Sequence, residues 1–482
     1  MKADFSRLKK AFEPECVAVV GDSKRNNFGW LKAQSTFKGR LYSVQVNPET
    51  IAGIEALGVK NYTSLTEIPE PVDLAVVAVP RAVAIRVLDD CVEKGVAAVH
   101  LFTAGFSETD TEEGNRFEQE LIERAERGNL QVIGPNCLGV FNPGIGLRQS
   151  EDQYADVTGP VGLISQSGHV ALSFSFEAHL QGIDISRSVS FGNGTVIDGV
   201  DYLEYFGQDP AVKIIAMYLE GVKNGKRFIE ALKDVSARKP VLIWKGGRTE
   251  DGEKAIAAHT GSMAVPRHVW DNAIKQQGAM SVTSMEELID TIKALHFLPP
   301  VTGDRVGVAG GSGGQSVLVA DVFYEQGLRV PQLTRGSYDE LASFFVLIGG
   351  GYPNPIDTGG NVNRLEIRRI MDILNRDRNI DNLVMIVSMK PGRSITLKQA
   401  EETIHMLEDL KKETDKPIMV MVYFSTPAAE QEARPIMLKF QEKGIPAFST
   451  IERCARALKN AHELNNRPRR PPMAAGKGGT LE

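Results

Sequence analysis

Short runs of β-branched and aliphatic residues alternate along this chain with longer segments whose apolar residues recur at helical spacing. That alternation predicts parallel β-sheets flanked by helices, an α/β fold class. In the first block "CVAVVG", "LYSVQVNP", "VDLAVVAVP", "AAVHLFTAGF" and "LQVIGPNCLG" read as strands that run into loops. Between them "RAVAIRVLDDCVEKG" and "NRFEQELIERAERG" read as helices, each closing on a glycine, Gly95 or Gly128, suited to a left-handed cap. This block, residues 1–146, is a nucleotide-binding type of α/β domain. A polar stretch, "RQSEDQYADVTGP", opens a second α/β block over residues 147–300, with strands at "VGLISQSG", "RSVSFGN", "VKIIAMYLE" and "PVLIWKGG". A third block, 301–466, begins at "RVGVAGGSGG" and continues through "LVMIVSMKPG", "PIMVMVYF" and "IPAFST", a length that suits another open sheet. The remaining residues, 467–482, are rich in Pro, Gly and basic residues and are expected to form a disordered tail.

Composition narrows the function classes. A hydrophobic share of 42% and a charged share of 24% are those of an ordinary globular chain. The net charge of -6 gives no field to draw in nucleic acid, and an aromatic share of 7% gives no stacking surface. No apolar run is long enough to cross a bilayer, and "MKADFSRLKKAFEPE" lacks the apolar core of a secretion signal. A cytoplasmic location without a membrane partner is therefore expected. Cys16, Cys91, Cys137 and Cys454 are scattered, with no CxxC pair, which argues against a zinc site or a disulfide framework. No metal site is expected on this chain.

Candidate chemistry gathers where strands end. "VAVVGDSKRNNFG" places Gly21 between a strand and a helix, a turn that lets backbone N–H groups approach phosphate at a positive helix end. A dinucleotide fingerprint needs G-x-G-x-x-G, but the next glycine is Gly29, so an NAD-dependent Rossmann oxidoreductase is a weakly supported alternative. Lys24 and Arg25 suit an anionic ligand, or are solvated surface charges. Further loops follow at "VNP" (Val46–Pro48), "VP" (Val79–Pro80), "TAGF" (Thr103–Phe106) and "GPNCLG" (Gly134–Gly139). Ligands of open α/β sheets lie beyond the carboxyl ends of the strands, so five such loops on one edge point to an extended, phosphate-bearing ligand.

The order "VAVVGDS…VNP…VAVP…TAGF…GPNCLG" resembles the CoA-binding domain of nucleoside-diphosphate-forming acyl-CoA synthetases, which include the α subunit of succinyl-CoA synthetase and the ADP-forming acetyl-CoA synthetases. The resemblance implies that Gly21, Ser23, Lys24, Val46, Asn47, Pro80, Thr103 and Asn136 contact coenzyme A. The family commonly continues "VNP" with a lysine where this chain has Glu49. A carboxylate cannot pair with a CoA phosphate, and Lys24 or Arg25 are the candidates to substitute.

"KAIAAHTGSMA" sets one histidine among residues that mainly offer room. A histidine that accepts and returns a phosphoryl group needs an outward ring nitrogen, a partner fixing the other nitrogen, and space for a tetrahedral dianion. Ala257, Ala258, Gly261 and Ser262 supply space around His259; the alternative is a histidine that caps the following helix. "AMYLEGV" places Glu220 at the end of an apolar strand, either facing the edge crevice or as a solvated loop acid. "LISQSGHVALSFSF" is a strand, a Ser-Gln-Ser-Gly turn and a helix, whose free N–H groups could hold a phosphate. Ser165 and Ser167 also suit ordinary N-caps, and His169 either lines an acyl pocket or caps the helix. "SFGNGTVIDGVDYLEYF" has the makings of a substrate loop at Gly192, Asn193 and Gly194. Asp198 and Asp201 read as caps, since negative charge there would repel an incoming carboxylate. Lys245 and Arg248 of "WKGGRTEDGEKA" are candidate anion contacts.

"AAHTGSMA" resembles the phosphohistidine loop of the same family, with His259 at the phosphorylated position. The resemblance implies that Glu220 hydrogen-bonds this histidine, that Ser167 and Gly168 form one of two helix ends clamping its phosphate, and that the acid binds near there and near Gly192–Gly194. It implies a CoA-ligase domain with a flavodoxin-like sheet in the second block. "VAGGSGGQSVLVAD" and "NPIDTGG" resemble the third domain of the ADP-forming synthetases; Gly-Gly-Ser-Gly-Gly lacks the G-x-x-x-x-G-K-[ST] pattern and reads as a tight turn. Only a tail follows, so an ATP-grasp β subunit is expected in trans, binding ATP or ADP with Mg²⁺, in an α2β2 assembly by analogy. The implied reaction joins a carboxylic acid, CoA and ATP into acyl-CoA, ADP and phosphate. A non-catalytic CoA-binding regulatory protein remains the other alternative, disfavoured by the joint presence of His259 and Glu220.

Overall fold

The computed structural model describes residues 3–252, 254, 267–345, 353–358, 362–389 and 397–467. The chain divides into two compact units, Met1–Thr283 and Ser284–Pro468.

The first unit holds two sheets. Strands β1 (Cys16–Val20), β2 (Arg40–Val44), β3 (Lys60–Tyr62), β4 (Leu74–Val77), β5 (Ala98–Leu101) and β6 (Gln131–Ile133) are all parallel, in the order β3-β2-β1-β4-β5-β6. This is the Rossmann order, with the direction of winding reversing between β1 and β4. The core strands β1, β4 and β5 are buried at every position, and so their sequences are apolar apart from His100 on β5. β3, "KNY", has no such signal and is absent from the sequence reading. Helix Arg81–Lys94 ends on Gly95 in the left-handed region, as its sequence predicts. Helix Glu112–Gly128 runs one residue further than expected: Gly128 is its last helical residue, and Asn129 (φ 48°) takes the left-handed cap. Asparagine tolerates that region better than other residues with a side chain, and a Cβ on Gly128 would lie 2.6 Å from Val92 Cγ2. Close helix packing, not capping, calls for the glycine.

The second sheet comprises β7 (Gly139–Phe141), β8 (Val161–Ser165), β9 (Ile185–Ser190), β10 (Ile214–Leu219), β11 (Val241–Lys245) and β12 (Met280–Val282), in the order β12-β11-β10-β8-β9-β7. Its five parallel strands have the flavodoxin order, with the switch between β8 and β10, and β7 adds an antiparallel edge. The two sheets share a core. Helix Phe5–Phe12 packs Phe12 face to face on Tyr205 at 5.2 Å and edge-on to Tyr202 and Phe206, while Arg187 bonds both Glu13 and Asp209. Aromatic pairs of this kind contribute about 1 kcal/mol each beyond their burial, so the two switch-point edges are held in fixed relation.

Within this core His100, on β5, is fully enclosed. Its Nε2 lies 3.1 Å from the Cys137 carbonyl, and burial pushes its pKa down to about 4. Gly139 leaves the ring its place: an added Cβ would lie 2.4 Å from His100 Cγ. The unfolded chain takes up this proton near pH 6.5 and the folded chain only near 4, so stability is full above 6.5 and falls as pH drops through that window, by up to about 3 kcal/mol. We expect His100→Gln to flatten the fall in urea midpoint between pH 7 and pH 4.5 relative to the parent chain.

The second unit is built on β13 (Val306–Ala309), β14 (Asn382–Met389), β15 (Ile418–Phe424) and β16 (Ala447–Phe448), parallel and in that order, with Ile356 bridging to Ala309 on the far side of β13. Asn354 is buried inside it and bonds the main chain of Val306, Val308 and Pro331. Helix Met285–Phe297 belongs to this unit and packs against helix Ile451–Asn465. Among the described residues no helix is long and apolar enough to cross a membrane.

Candidate functional site

Two sheet edges in the first unit gather the candidate residues. On the first, Gly21 follows β1 with φ +87°, and a Cβ on it would lie 2.1 Å from Val79 Cγ1. Only glycine lets the turns after β1 and β4 close up at the switch point. Asp22 is completely buried: Oδ1 accepts the Ser23 N–H at 2.9 Å and Oδ2 the Leu31 N–H at 2.8 Å. One carboxylate thereby draws both ends of the intervening loop together, and burial pushes its pKa above the ordinary range. The sequence reading passed over Asp22, because an acid after a strand glycine looks like any solvated loop charge.

That loop presents Ser23 at the head of a single helical turn, with Lys24 and Arg25 exposed on it. Gln45 ties it to the next turn, donating to the Asp22 carbonyl at 3.1 Å and accepting the N–H groups of Val46 and Asn47 at 2.9 and 3.1 Å. Val46 is 70% exposed there, unusual for a valine. Asn47 caps helix Pro48–Ala56, and Glu49 stands exposed in its first turn, where an acid complements the helix dipole. Pro80 caps helix Arg81–Lys94. The buried Thr103 hydroxyl donates to the Val79 carbonyl at 2.6 Å, and its own carbonyl accepts the Asn136 N–H at 3.1 Å. Asn136 holds φ +60°. All nine candidates on this sheet thus occupy turns at one edge, beyond parallel strand ends.

The second edge is built around β8 and β10. Gln166 is buried, and its Oε1 accepts the N–H groups of Glu220 at 2.8 Å and Gly221 at 3.1 Å, bridging the two strand ends. Ser167 is the N-cap of helix Gly168–His179, accepting the Val170 N–H at 3.3 Å. Ser165 is no cap: it is the buried last residue of β8, and its hydroxyl donates to the Ser167 carbonyl at 2.6 Å. His169 is exposed on the helix's first turn, its Nε2 3.4 Å from Ser173 Oγ. Glu220 is buried at the end of β10, not a solvated loop acid. Burial, with the Glu220 carboxylate nearby, pushes the Tyr218 phenol up to about 12. Lys245 is also buried, donating to the carbonyls of Glu220 at 2.7 Å and Gly246 at 2.6 Å. Arg248 lies outside this group and donates to the Thr283 carbonyl.

Between the edges runs the loop after β9. Gly192 adopts φ +51°, and a Cβ on it would lie 2.2 Å from the Asn136 carbonyl oxygen. Asn193 N–H donates to Pro135 and Thr195 N–H to Gly134, both at 3.1 Å, and Asn193 Nδ2 donates to Glu108 at 2.6 Å. Lys223 donates to the Gly194 carbonyl at 3.0 Å. This loop therefore binds the turn after β6 main chain to main chain, linking the ends of the two sheets. Asp198 and Asp201 form a reciprocal capping box on helix Gly199–Gln208, the structural role expected of them. Gln166, Tyr218 and Glu108 were missed in the sequence; the alternation that sets Tyr218 on the same face as Glu220 was the one available signal.

His259 and its neighbours Ala257, Ala258, Gly261 and Ser262 lie outside the described residues. Among the described residues, no group of three or more His, Cys, Asp or Glu side chains is arranged to hold a metal ion.

Residues 15–143 match the model of a CoA binding domain, and residues 158–295 that of a succinyl-CoA ligase like flavodoxin domain. The chain is 33% identical to the alpha subunit of ADP-forming acetate–CoA ligase II of Pyrococcus furiosus over 452 residues, 92% of this chain and 95% of the relative. It is 33% identical to the alpha subunit of isoenzyme I of the same organism over 464 residues, 94% and 96% of the two chains. A solved structure of dinucleotide forming acetyl-coenzyme A synthetase 1 from Ca. Korarchaeum cryptofilum, in complex with phosphate and ADP, superposes with a TM-score of 0.82 at 29% identity, covering 95% of this chain and 96% of that one. Likeness of this extent, on both sheets of the first unit and beyond them, makes the chain a member of the family of ADP-forming acyl-CoA ligase alpha subunits.

Proposed function

We propose that this chain works through an acyl phosphate and a phosphohistidine, with an ATP-grasp β subunit supplying the nucleotide site in trans. The reading is supported most by the junction at Gly192–Thr195, whose main-chain bonds tie the turn after β6 to the loop after β9. CoA is long enough to need both. Its phosphates meet the turns at Gly21, Ser23, Lys24, Arg25 and Asn47, and its thiol reaches toward Ser167 and Gly168, past Pro80, Thr103 and Asn136.

In the thioester-cleaving direction, a phosphate oxygen attacks the acyl carbonyl, the C–S bond breaks, and CoA leaves as the thiol after taking up a proton. The free N–H groups at the start of helix Gly168–His179 stabilise the negative charge that develops on phosphate. His259 then takes the phosphoryl group from the acyl phosphate, releasing the carboxylate, and passes it to ADP. Glu220 fixes the histidine tautomer and favours the cationic phosphorylated ring. The synthetic direction reverses each step. Mg²⁺ accompanies the nucleotide and belongs with the partner. Relatives named as alpha subunits support a separate partner chain, and we propose an α2β2 assembly acting in the cytoplasm.

The test is phosphorylation. With the partner present, label from γ-labelled ATP is expected on this chain in an acid-labile, base-stable form, discharged by adding CoA with the acid substrate. Label confined to the partner, or none that CoA and acid discharge, would overturn the proposal.

A further inference from the structure

We propose that Glu108 positions the loop at Gly192–Gly194, by closing a ring of hydrogen bonds through the turns after β5 and β6 and the loop after β9. The inference rests on the reading that the acid binds beside this loop, and adds a residue to it. Glu108 lies in the single helical turn Ser107–Thr109 that follows β5. Its Oε1 accepts the Gly105 N–H at 2.5 Å. Its Oε2 accepts the Phe106 N–H at 3.0 Å and Asn193 Nδ2 at 2.6 Å. One carboxylate thereby holds two consecutive amides of its own turn and a side chain 85 residues further along the chain.

The ring can be followed bond by bond. In the turn after β5 the Thr103 carbonyl accepts the Asn136 N–H, and in the turn after β6 the Pro135 carbonyl accepts the Asn193 N–H, both at 3.1 Å. Glu108 then returns from Asn193 to Gly105 and Phe106, just past Thr103. A chain of bonds left open at one end lets its last member shear, and closing it fixes the loop against both turns. The turn after β5 has other supports, since Phe106 is fully buried and Arg81 donates to the Gly105 carbonyl. What the carboxylate adds is the link to Asn193. The orientation of the Asn193 amide agrees with this. A carboxylate only accepts, so the amide turns Nδ2 toward it, and Oδ1 is left buried with no hydrogen-bond partner among the described residues. An unpaired buried acceptor is costly, and the charge-assisted bond at the other end of the amide offsets that cost. Glu108 acts through Asn193 and is a positioning residue.

The experiment uses the full chain with its partner subunit and times two steps. The first is labelling of the chain by γ-labelled ATP. The second is discharge of that label by CoA with the carboxylic acid that the parent chain ligates fastest, from a panel headed by acetate. Asn193→Asp keeps the side chain's shape and sets two carboxylates against each other. It is expected to slow discharge about 10- to 100-fold and to leave labelling within about twofold of the parent, because labelling needs neither CoA nor acid. Adding Glu108→Gln puts an amide opposite a carboxylate again, with donor and acceptor exchanged, and is expected to bring discharge back to within about fivefold of the parent. Equal loss of labelling and discharge in Asn193→Asp would overturn the inference, since the contact would then only support the fold. Normal discharge in Asn193→Asp removes the loop's role and this inference with it. Slowed discharge that Glu108→Gln does not recover keeps the loop's role and defeats that of Glu108 alone.

Discussion

His259→Ala is expected to abolish net acyl-CoA synthesis, by roughly 10,000-fold or more, while leaving one half of the chemistry intact. In the proposed mechanism the exchange of thioester for acyl phosphate needs only phosphate, CoA and the crevice between the two sheet edges. The histidine enters afterwards, as the carrier between acyl phosphate and nucleotide. Removing a covalent carrier removes the route and not merely a favourable contact, which is why the loss approaches that of deleting a catalytic nucleophile. The retained half-reaction is measured as phosphate-dependent release of CoA from acyl-CoA, with the partner present and nucleotide absent. Net synthesis surviving in His259→Ala would place phosphoryl transfer elsewhere.

Asp290→Ala is expected to destabilise the second unit by about 3–5 kcal/mol, the range for breaking one partner out of a buried ion pair. Asp290 is 1% exposed and takes Arg453 Nε at 2.7 Å and Nη2 at 2.8 Å, with Lys293 Nζ at 3.1 Å. Burial already pushes the Lys293 ammonium below its usual range, and Arg453 pushes it the same way. Without the carboxylate, the buried Lys293 ammonium faces the Arg453 guanidinium, which is 18% exposed and still pairs with Glu286. All three tryptophans, Trp30, Trp244 and Trp270, lie in the first unit. The variant should therefore show an early denaturant transition in far-UV circular dichroism that tryptophan fluorescence does not follow. Arg376→Ala, which removes an exposed pair with Glu340 on the same unit, is the comparison; it should cost less than about 1 kcal/mol.

Legibility followed burial. β1, β4, β5, β8, β10 and β11 stand out because parallel strands covered on both faces leave few polar positions. β3, β7 and β12 have three residues each, too few to show a period, and they form only because a longer neighbour templates them. Their pairing is a property of the sheet. The site divides in the same way. Gly21, Ser167, Gly168 and Glu220 could be picked out because a glycine, a cap or an acid beside an apolar run is locally conspicuous. Asp22 and Gln166 were not conspicuous, since each matters through a partner nine or more residues away: Leu31 for the first, Glu220 and Gly221 for the second. Gly128 shows the converse. The residue looks like a helix cap, but the contact with Val92 on another helix explains it better.

The amino-acid sequence by itself determined the alternation of strands and helices, the parallel character of the sheets, and which strand ends carry chemically capable residues. These are consequences of local hydrophobic period and turn chemistry, which depend on neighbours a few positions apart. Tertiary structure alone decided strand order, and with it the placing of β8 beside β10, which sets Gln166, Glu220, Tyr218 and Lys245 into one group. It also decided that the loop at Gly192 bonds the turn at Gly134–Asn136, tying the ends of the two sheets together. Register between strands 50 residues apart is chosen by the whole core at once, and no local window of the chain carries that information.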